Sequence, residues 1–257
     1  GGLAWNHAHL PNRDAEMKRR IWEEGGRVVA WGWVYLPGEL EWAVLPGWET
    51  LSTEVLAWFE EVADGDRLEA AVLSDDAQGV EALASRGYSE DHDAPFFCYM
   101  LRDLDSIDSP SLSPGFRLRT VTDADVDRRV ELHRAVWVGT RFSAESYRAV
   151  RDTWPYRETL DCVVEAPDGS LASSVIAWFD PDNNVGELEP VDTHPDYRRL
   201  GLGRAVNLFS FGRLREAGAE RAMVLCRGDA AYPVPKRLYE SVGFTEVGRT
   251  RVFTRPR

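Results

Sequence analysis

Cysteine is scarce: Cys98, Cys162 and Cys226 are the three in a chain of 257 residues. Their number is odd, their spacing is wide and each lies in an apolar segment. That excludes a disulfide framework and a zinc cluster and suits buried thiols in a reducing compartment, so a cytoplasmic location is expected. Long apolar runs are also missing. The longest, from Val28 to Leu36, falls far short of the roughly 20 residues a membrane helix needs, and no membrane span is expected. Neither an initiator Met nor a basic-then-apolar leader precedes Gly1 and Gly2, which read as the edge of a truncation or a cloning remnant. Positive charge is in deficit, with a net charge of -13. A general nucleic-acid binder needs clustered Lys and Arg to neutralise phosphates, so that class is excluded. Apart from the pair His7 and His9, the histidines lack the close spacing of metal ligands, and no metal is expected.

What is present suits a globular protein, with 44% hydrophobic and 28% charged residues. The length accommodates two domains of about 100 to 150 residues, each with its own core. Charge is unevenly distributed: residues 1–103 hold 8 basic and 20 acidic side chains, whereas residues 115–257 hold 22 and 21. Most arginines therefore lie in the second half, as expected if that half alone meets an anionic ligand. Between the halves, residues 104–114 are rich in Ser, Asp and Pro without helical or strand period and read as a linker.

After the linker the pattern predicts a strand at 116–120, a helix from the acidic turn after Thr122 to Val136, and a second helix from Ser143 to Asp152. Three strands follow at 161–165, 170–179 and 185–193, separated by Pro-Asp turns, and form an antiparallel meander. A helix spans Gly203 to Ala217, with Gly218 as its stop, before a strand at 221–226. A last helix is bracketed by Pro235 and Gly243, and two final strands fill 245–254. The fold class is therefore α/β of the α+β type, a mixed, mostly antiparallel sheet flanked by helices. The first half repeats part of this order, with Gly38-Glu39-Leu40-Glu41 echoing Gly186-Glu187-Leu188-Glu189, which points to a tandem duplication.

The segment that carries chemistry runs from Val191 to Ala205 (VDTHPDYRRLGLGRA), where a strand ends, a loop holds Arg and two spaced glycines, and a helix begins. Glycines let successive N–H groups turn inward, and the unsatisfied amides at a helix start, with the positive end of its dipole, attract a phosphate. Arg198, Arg199 and Arg204 add charged donors.

This loop, Arg198 to Gly203 (RRLGLG), resembles the R-x-x-G-x-G acyl-coenzyme A loop of the GNAT N-acetyltransferases. The downstream stretch Arg237 to Phe244 (RLYESVGF) resembles the same family's L-Y-x-x-x-G-F segment. The resemblance covers the C-terminal half and implies two tandem GNAT-like domains: a degenerate, truncated one at 1–103 and a catalytic one at 115–257. It implies acetyl-coenzyme A as co-substrate and a primary amine of a small molecule as acceptor. The backbone of Val191, Asp192 and Thr193 would pair with the pantetheine arm. Arg198, Arg199, Leu200, Gly201, Leu202, Gly203 and Arg204 would hold the pyrophosphate. Tyr239 matches the tyrosine that protonates the departing sulfur. Glu187 and Glu189 are the candidates for the base, since residues two apart on a strand share a face with Val191 and Thr193. Pro190, which lacks a ladder donor, marks a possible bulge in that strand.

Where many family members have Asn and Ala before the L-Y pair, this chain has Ala231 to Lys236 (AYPVPK), leaving Tyr232 or Lys236 as substitutes. The first half has Pro46 to Thr50 (PGWET) in place of the glycine loop and Leu83 in place of Tyr239. It is expected to be silent in chemistry and to wall one side of the acceptor site. Its residues Trp31, Trp33, Trp42, Trp48 and Trp58 read as core and interdomain packing. Trp137, Arg141, Phe142, Trp154 and Tyr156 follow the first two helices of the second half and form an aromatic pocket suited to a cationic or amphipathic amine. The layout is similar to that of the mycothiol synthases. Two other readings stay open for the function, a silent acyl-coenzyme A-binding module and transfer to a protein amine. A nucleotide site in another α/β fold is disfavoured, because neither G-x-x-x-x-G-K-[ST] nor G-x-G-x-x-G is present.

Overall fold

The computed structural model describes residues 2–9 and 15–257, so Gly1 lies outside the described residues. The chain runs α1 (Gly2–Ala8), β1 (Met17–Glu24), β2 (Arg27–Tyr35), β3 (Glu39–Val44), α2 (Leu51–Val62), β4 (Arg67–Leu73), α3 (Ala77–Ser85), β5 (Ser89–Glu90) and β6 (Phe97–Asp103). It continues through β7 (Arg117–Thr120), α4 (Val126–Val136), α5 (Ala144–Arg151), β8 (Asp161–Glu165), β9 (Leu171–Asp180) and β10 (Val185–Thr193). Last come α6 (Leu202–Glu216), β11 (Arg221–Arg227), α7 (Val234–Ser241) and β12 (Thr245–Pro256). No helix among the described residues is long and apolar enough to cross a membrane.

Two compact units share these elements, and neither is contiguous in sequence. The larger contains α1, Tyr99–Cys226 and Tyr232–Val247; the smaller contains β1 through Cys98, Arg227–Ala231 and Gly248–Arg257. Residues 104–114 fall in the larger unit. The expected pair of final strands is one strand, β12, whose stretch from Thr250 to Pro256 pairs antiparallel with β4 in the smaller unit.

In the smaller unit β1, β2 and β3 form an antiparallel ribbon, and β3 meets β4 in parallel at Glu39↔Glu69 and Leu40↔Ala70. Val34, Leu40, Val55, Leu56, Phe59, Leu68 and Leu83 make its core and are buried almost completely. The tryptophans pack rather than line a cage. Trp33 and Trp58 are buried, Trp22 and Trp42 press against the same core, and the Trp33 indole N–H donates to Met17 Sδ at 2.7 Å.

The larger unit orders its strands β6-β11-β10-β9-β8-β7. The strands β10 and β11 run in parallel, at Val185↔Arg221, Gly186↔Ala222 and Glu187↔Met223. Beyond Glu187 that ladder stops, so the two strands part. The helix starts follow their caps: Thr122 is tied to Asp125 ahead of α4, and Ser143 Oγ accepts from Ser146 N at 3.1 Å ahead of α5. Such caps satisfy amides that the helix leaves without partners. One face of the sheet buries Ile176 and Trp178 against Trp5, Val126, Val130, Phe142, Tyr147 and Val150, which come from α1, α4, α5 and the α4–α5 loop. On the other face lies α6.

Glycine is required where α6 crosses β10. A Cβ on Gly186 would lie 2.4 to 2.9 Å from three side-chain atoms of Leu214, which is itself fully buried. Gly186→Ala is therefore expected to lose about 1–3 kcal/mol by overpacking, measured as a lower urea midpoint at unchanged slope.

Candidate active site

The strand β10 departs from regular pairing at one place. Leu188 faces Ala177 across β9 and Val191 faces Val175, so β10 spends three residues where β9 spends two. Glu189 and Pro190 form the bulge, as expected for a proline that cannot donate to a ladder. An extra residue reverses the phase of the side chains. Residues directly opposite in an antiparallel pair share a face; Glu187 pairs with Trp178 and Asp192 with Ser174, whereas Val191 and Thr193 pair with Val175 and Ser173. The expectation that Glu187 shares a face with Val191 and Thr193 is thus corrected. Glu187 shares the α1–α4 face with Asp192, and Glu189 occupies the turn-over point itself.

Glu187 is engaged there, since its Oε2 accepts from the Gly2 amide at 2.9 Å. Glu189 is partly open to solvent. Desolvation, with the negative charges of Glu187 and Asp192 beside it, pushes its carboxyl up to about 8. Tyr239, on α7, is 6% exposed and packs edge-on against Phe244. Burial and the charges of Glu189 and Asp192 raise its phenol well above the ordinary value, so it stays protonated at physiological pH. The structure therefore brings Glu189 and Tyr239 into one electrostatic neighbourhood from two separate elements. A half-buried carboxylate that titrates near neutrality and a phenol that keeps its proton are an acid–base pair of complementary polarity.

The glycine loop sits at the end of the same strand. After a turn at Pro195–Tyr197, Arg199 and Gly201 adopt φ of 63° and 75°, and α6 begins at Leu202. Gly201 is the N-cap and brings no side chain to it, so the first amides of α6 have no side-chain cap. The first intrahelical partner to appear is Ala205 N on Gly201 O at 3.0 Å. A Cβ on Gly203 would lie 3.2 Å from Thr193 Oγ1 and 3.4 Å from Leu238, so its absence lets the helix start close to β10 and α7. Arg198, Arg199 and Leu200 are exposed at the loop. Arg204 is turned elsewhere: its guanidinium bonds the Ser241 carbonyl and, at 2.9 Å, Asp108. Its side chain is thus not aimed at the loop mouth, although its backbone amide remains at the helix start. Lys236 is likewise committed, to Glu246 at 2.6 Å, while Tyr232 is half exposed.

One group of residues escaped the sequence. Asp192 is completely buried, and its carboxylate receives Arg129 Nη1 at 3.2 Å, His133 Nδ1 at 3.1 Å and Trp137 Nε1 at 2.7 Å. Arg129, also completely buried, lies 3.7 Å from Asp161, which accepts from Tyr147 at 2.6 Å and Tyr156 at 3.1 Å. Burial alone would raise Asp192, but the His133 bond, the Arg129 charge and the Trp137 N–H outweigh it and hold the carboxyl below its usual range. Burial does raise Asp161 despite Arg129. A signal existed, since Arg129 and His133 fall on the same stripe of α4 as the buried Val126 and Val130, a place where charge is unexpected.

With this geometry in view, the relatives can be compared. The profile of the acetyltransferase (GNAT) family matches residues 129–244, which take in the bulged strand, the glycine loop and α7. Over this segment, a little under half of its length, the chain is similar to that family. Likeness to solved structures is one of fold alone. A tandem GNAT protein from the clavulanic acid biosynthesis pathway superposes on 99% of this chain and 86% of its own, with TM-score 0.70 and 16% identity. A GCN5-related N-acetyltransferase from Sphaerobacter thermophilus covers 90% of this chain and 78% of its own, with TM-score 0.69 and 16% identity. In sequence, 64 residues are 41% identical to a mycothiol acetyltransferase of Thermobispora bispora, covering 25% of this chain and 21% of the relative. Another 150-residue match, 29% identical, is to a mycothiol acetyltransferase of Cellulomonas flavigena, covering 53% and 42%. The matches thus span less than half the length of these two relatives.

Removing Arg129 leaves two buried carboxylates without their cation. Arg129→Leu is expected to lower stability by about 3–5 kcal/mol at pH 7. Asp192, held low in the parent, contributes stability that is present above its unfolded pKa and fades as pH falls through its folded one. Without Arg129 that contribution is gone, so the deficit against the parent should shrink below about pH 4, near the ordinary carboxylate pKa. Urea unfolding of both proteins at pH 7 and pH 3.5 checks this.

Proposed function

We propose that the protein transfers an acetyl group from acetyl-coenzyme A to a primary amine of a small molecule. The observation that carries this reading is the placement of Glu189 at the bulge, where β10 leaves β11, in electrostatic reach of the protonated Tyr239. An acid–base pair beside a gap between parallel strands is what transfer between two bound partners requires.

The loop supports the donor half of the reading. The amides of Leu202, Gly203 and Arg204 lack a side-chain cap and point along the helix dipole, so they suit a pyrophosphate, with Arg198 and Arg199 as exposed cations nearby. Acetyl-coenzyme A supplies an activated acyl group as a thioester. Leu188 to Thr193, beyond the ladder with β11, offer a backbone edge to its pantetheine arm. The amine attacks the thioester carbonyl in its neutral form, and Glu189 takes, directly or through a water, the proton that the nitrogen sheds as the C–N bond forms and the C–S bond breaks. Tyr239 gives its proton to the departing thiolate sulfur. Glu187, held by the Gly2 amide, shapes the field around Glu189 rather than exchanging the substrate proton. The small-molecule acceptor is supported by the half-exposed ring of Trp137, bonded to Asp192 on the strand that carries Glu187 and Glu189; Phe142, expected in the same pocket, is fully buried and belongs to the core.

Calorimetric titration with acetyl-coenzyme A should show one site on the parent and none on Gly201→Trp, where a bulky side chain meets both a left-handed backbone and the loop mouth. Absence of binding to the folded parent would overturn the donor assignment. For the chemistry, an acceptor amine of pKa below 6 isolates the enzyme's own titration. With it, kcat/KM should rise with pH to a plateau above about 8, the value to which burial and the neighbouring carboxylates push Glu189. Glu189→Gln should remove that limb and lower the plateau about 10²–10⁴-fold. A silent binding module would keep its affinity in Glu189→Gln and Tyr239→Phe and show no turnover in any of the three proteins.

A further inference from the structure

Trp137 caps the C-terminus of α4, and its ring is 51% exposed. An exposed indole N–H is normally satisfied by water. Here it donates instead to Oδ1 of Asp192, a carboxylate with no exposure at all, at 2.7 Å. Arg129 and His133 share the other oxygen, at 3.2 and 3.1 Å, so Oδ1 is given over to the indole. Arg129 and His133 suffice to tie α4 to β10 and to compensate the buried charge. The bond to Trp137 adds something different, because an indole N–H bonded to a fixed acceptor fixes the plane of its ring. His133 supports that plane from one side, with ring centroids 6.1 Å apart and planes at 29°. Asp192 stands three residues after Glu189 on the same strand, and its charge acts on the Glu189 carboxyl.

We propose that Asp192 is a positioning residue that holds the Trp137 ring as a fixed wall of the acceptor site beside Glu189. The inference rests on the proposed amine acetylation and names the acceptor class: an amine carried on a flat or apolar body that lies on the indole face. Ring-on-ring contact adds to simple area burial only in certain orientations, so a ring whose tilt is set discriminates better than one that rotates. Asp192 does not touch the substrate; it acts through Trp137.

Two probe amines test this, 2-phenylethylamine and ethylamine, with kcat and KM measured separately and acetyl-coenzyme A binding followed by calorimetry. Trp137→Phe keeps an aromatic ring and deletes the donor; Trp137→Ala deletes the wall; Asp192→Asn alters the clamp. The ratio of kcat/KM for 2-phenylethylamine over ethylamine is expected to fall about tenfold in Trp137→Ala, the scale of one lost apolar contact. It should fall roughly three- to tenfold in Trp137→Phe, through KM, with acetyl-coenzyme A affinity and kcat within about twofold of the parent. Asp192→Asn should show the same fall in the ratio if it folds, with kcat moved as well because its charge acts on Glu189, and Trp137→Phe, altered at an exposed ring, carries the test if it does not. A ratio that falls in Trp137→Ala but not in Trp137→Phe would overturn the positioning role of Asp192. An unchanged ratio in both would overturn the wall as well. A parent that binds acetyl-coenzyme A but acetylates neither amine would refute this inference alone, whereas a parent that binds none would remove the function beneath it.

Discussion

One extra residue in β10 governs the site. Because the bulge at Glu189 and Pro190 reverses side-chain phase, a single strand delivers different chemistry to its two faces. Upstream, Gly186 and Leu188 pack toward α6; downstream, that face belongs to Val191 and Thr193, which meet the start of the same helix. The opposite face receives Glu187 and then Asp192. Without the extra residue Asp192 would fall on the α6 side, where Arg129 and His133 could not reach it. The parting of β10 from β11 after Glu187 is part of the same constraint, since a bulged strand bends and twists away from its neighbour.

The second determinant is a charge held out of water. Burying Asp192, Arg129 and Asp161 together is expensive, and the geometry only partly compensates, since Arg129 Nε and Nη2 and Asp161 Oδ1 lack hydrogen-bond partners. Such a group gives little net stability relative to an apolar core of the same shape. What it supplies is registration. A carboxylate with three donors spaced four residues apart along one helix, Arg129, His133 and Trp137, accepts α4 in one rotation and one depth, and the loop that follows α4 inherits that placement.

Much of this was legible in the chain, for reasons that differ by feature. The glycine loop could be read because its backbone restricts the residues that can stand there: Gly201 has positive φ and Gly203 allows close approach. The second-half helices and the meander could be read from period and turn chemistry, and α7 from Pro235 and Gly243. Glu189 and Tyr239 were singled out through motif position, and the charge of one acts on the other. The face of Glu187 was misread because strand alternation holds only while the count of residues on both strands agrees, and Pro190 hinted at the break without fixing its phase. The Asp192 cluster stayed hidden because its members are 63 and 59 residues apart, and local pattern carries no information on such pairs. Strands β1, β5 and β6 and helix α1 were missed too. Charged β1 shows no alternation, β5 has two residues, and α1 is shorter than the helices that periodicity detects.

The pairing of β4 with the last stretch of β12 bears on how the chain matures. Leu68 finds its partner in Arg255 and Ala71 in Val252, so the sheet of the smaller unit has a seam between segments about 180 residues apart in the chain, one made well before the other. Until residues 250–256 leave the ribosome, β4 presents an unpaired apolar edge bearing Leu68, Ala70 and Val72. Closing contacts of such sequence separation is slow, and an exposed edge is a template for wrong partners in the meantime. At ordinary translation rates of roughly 5–20 residues per second, the wait for that partner is on the order of ten seconds or more, and throughout it β4 is a client for whatever shields nascent strands.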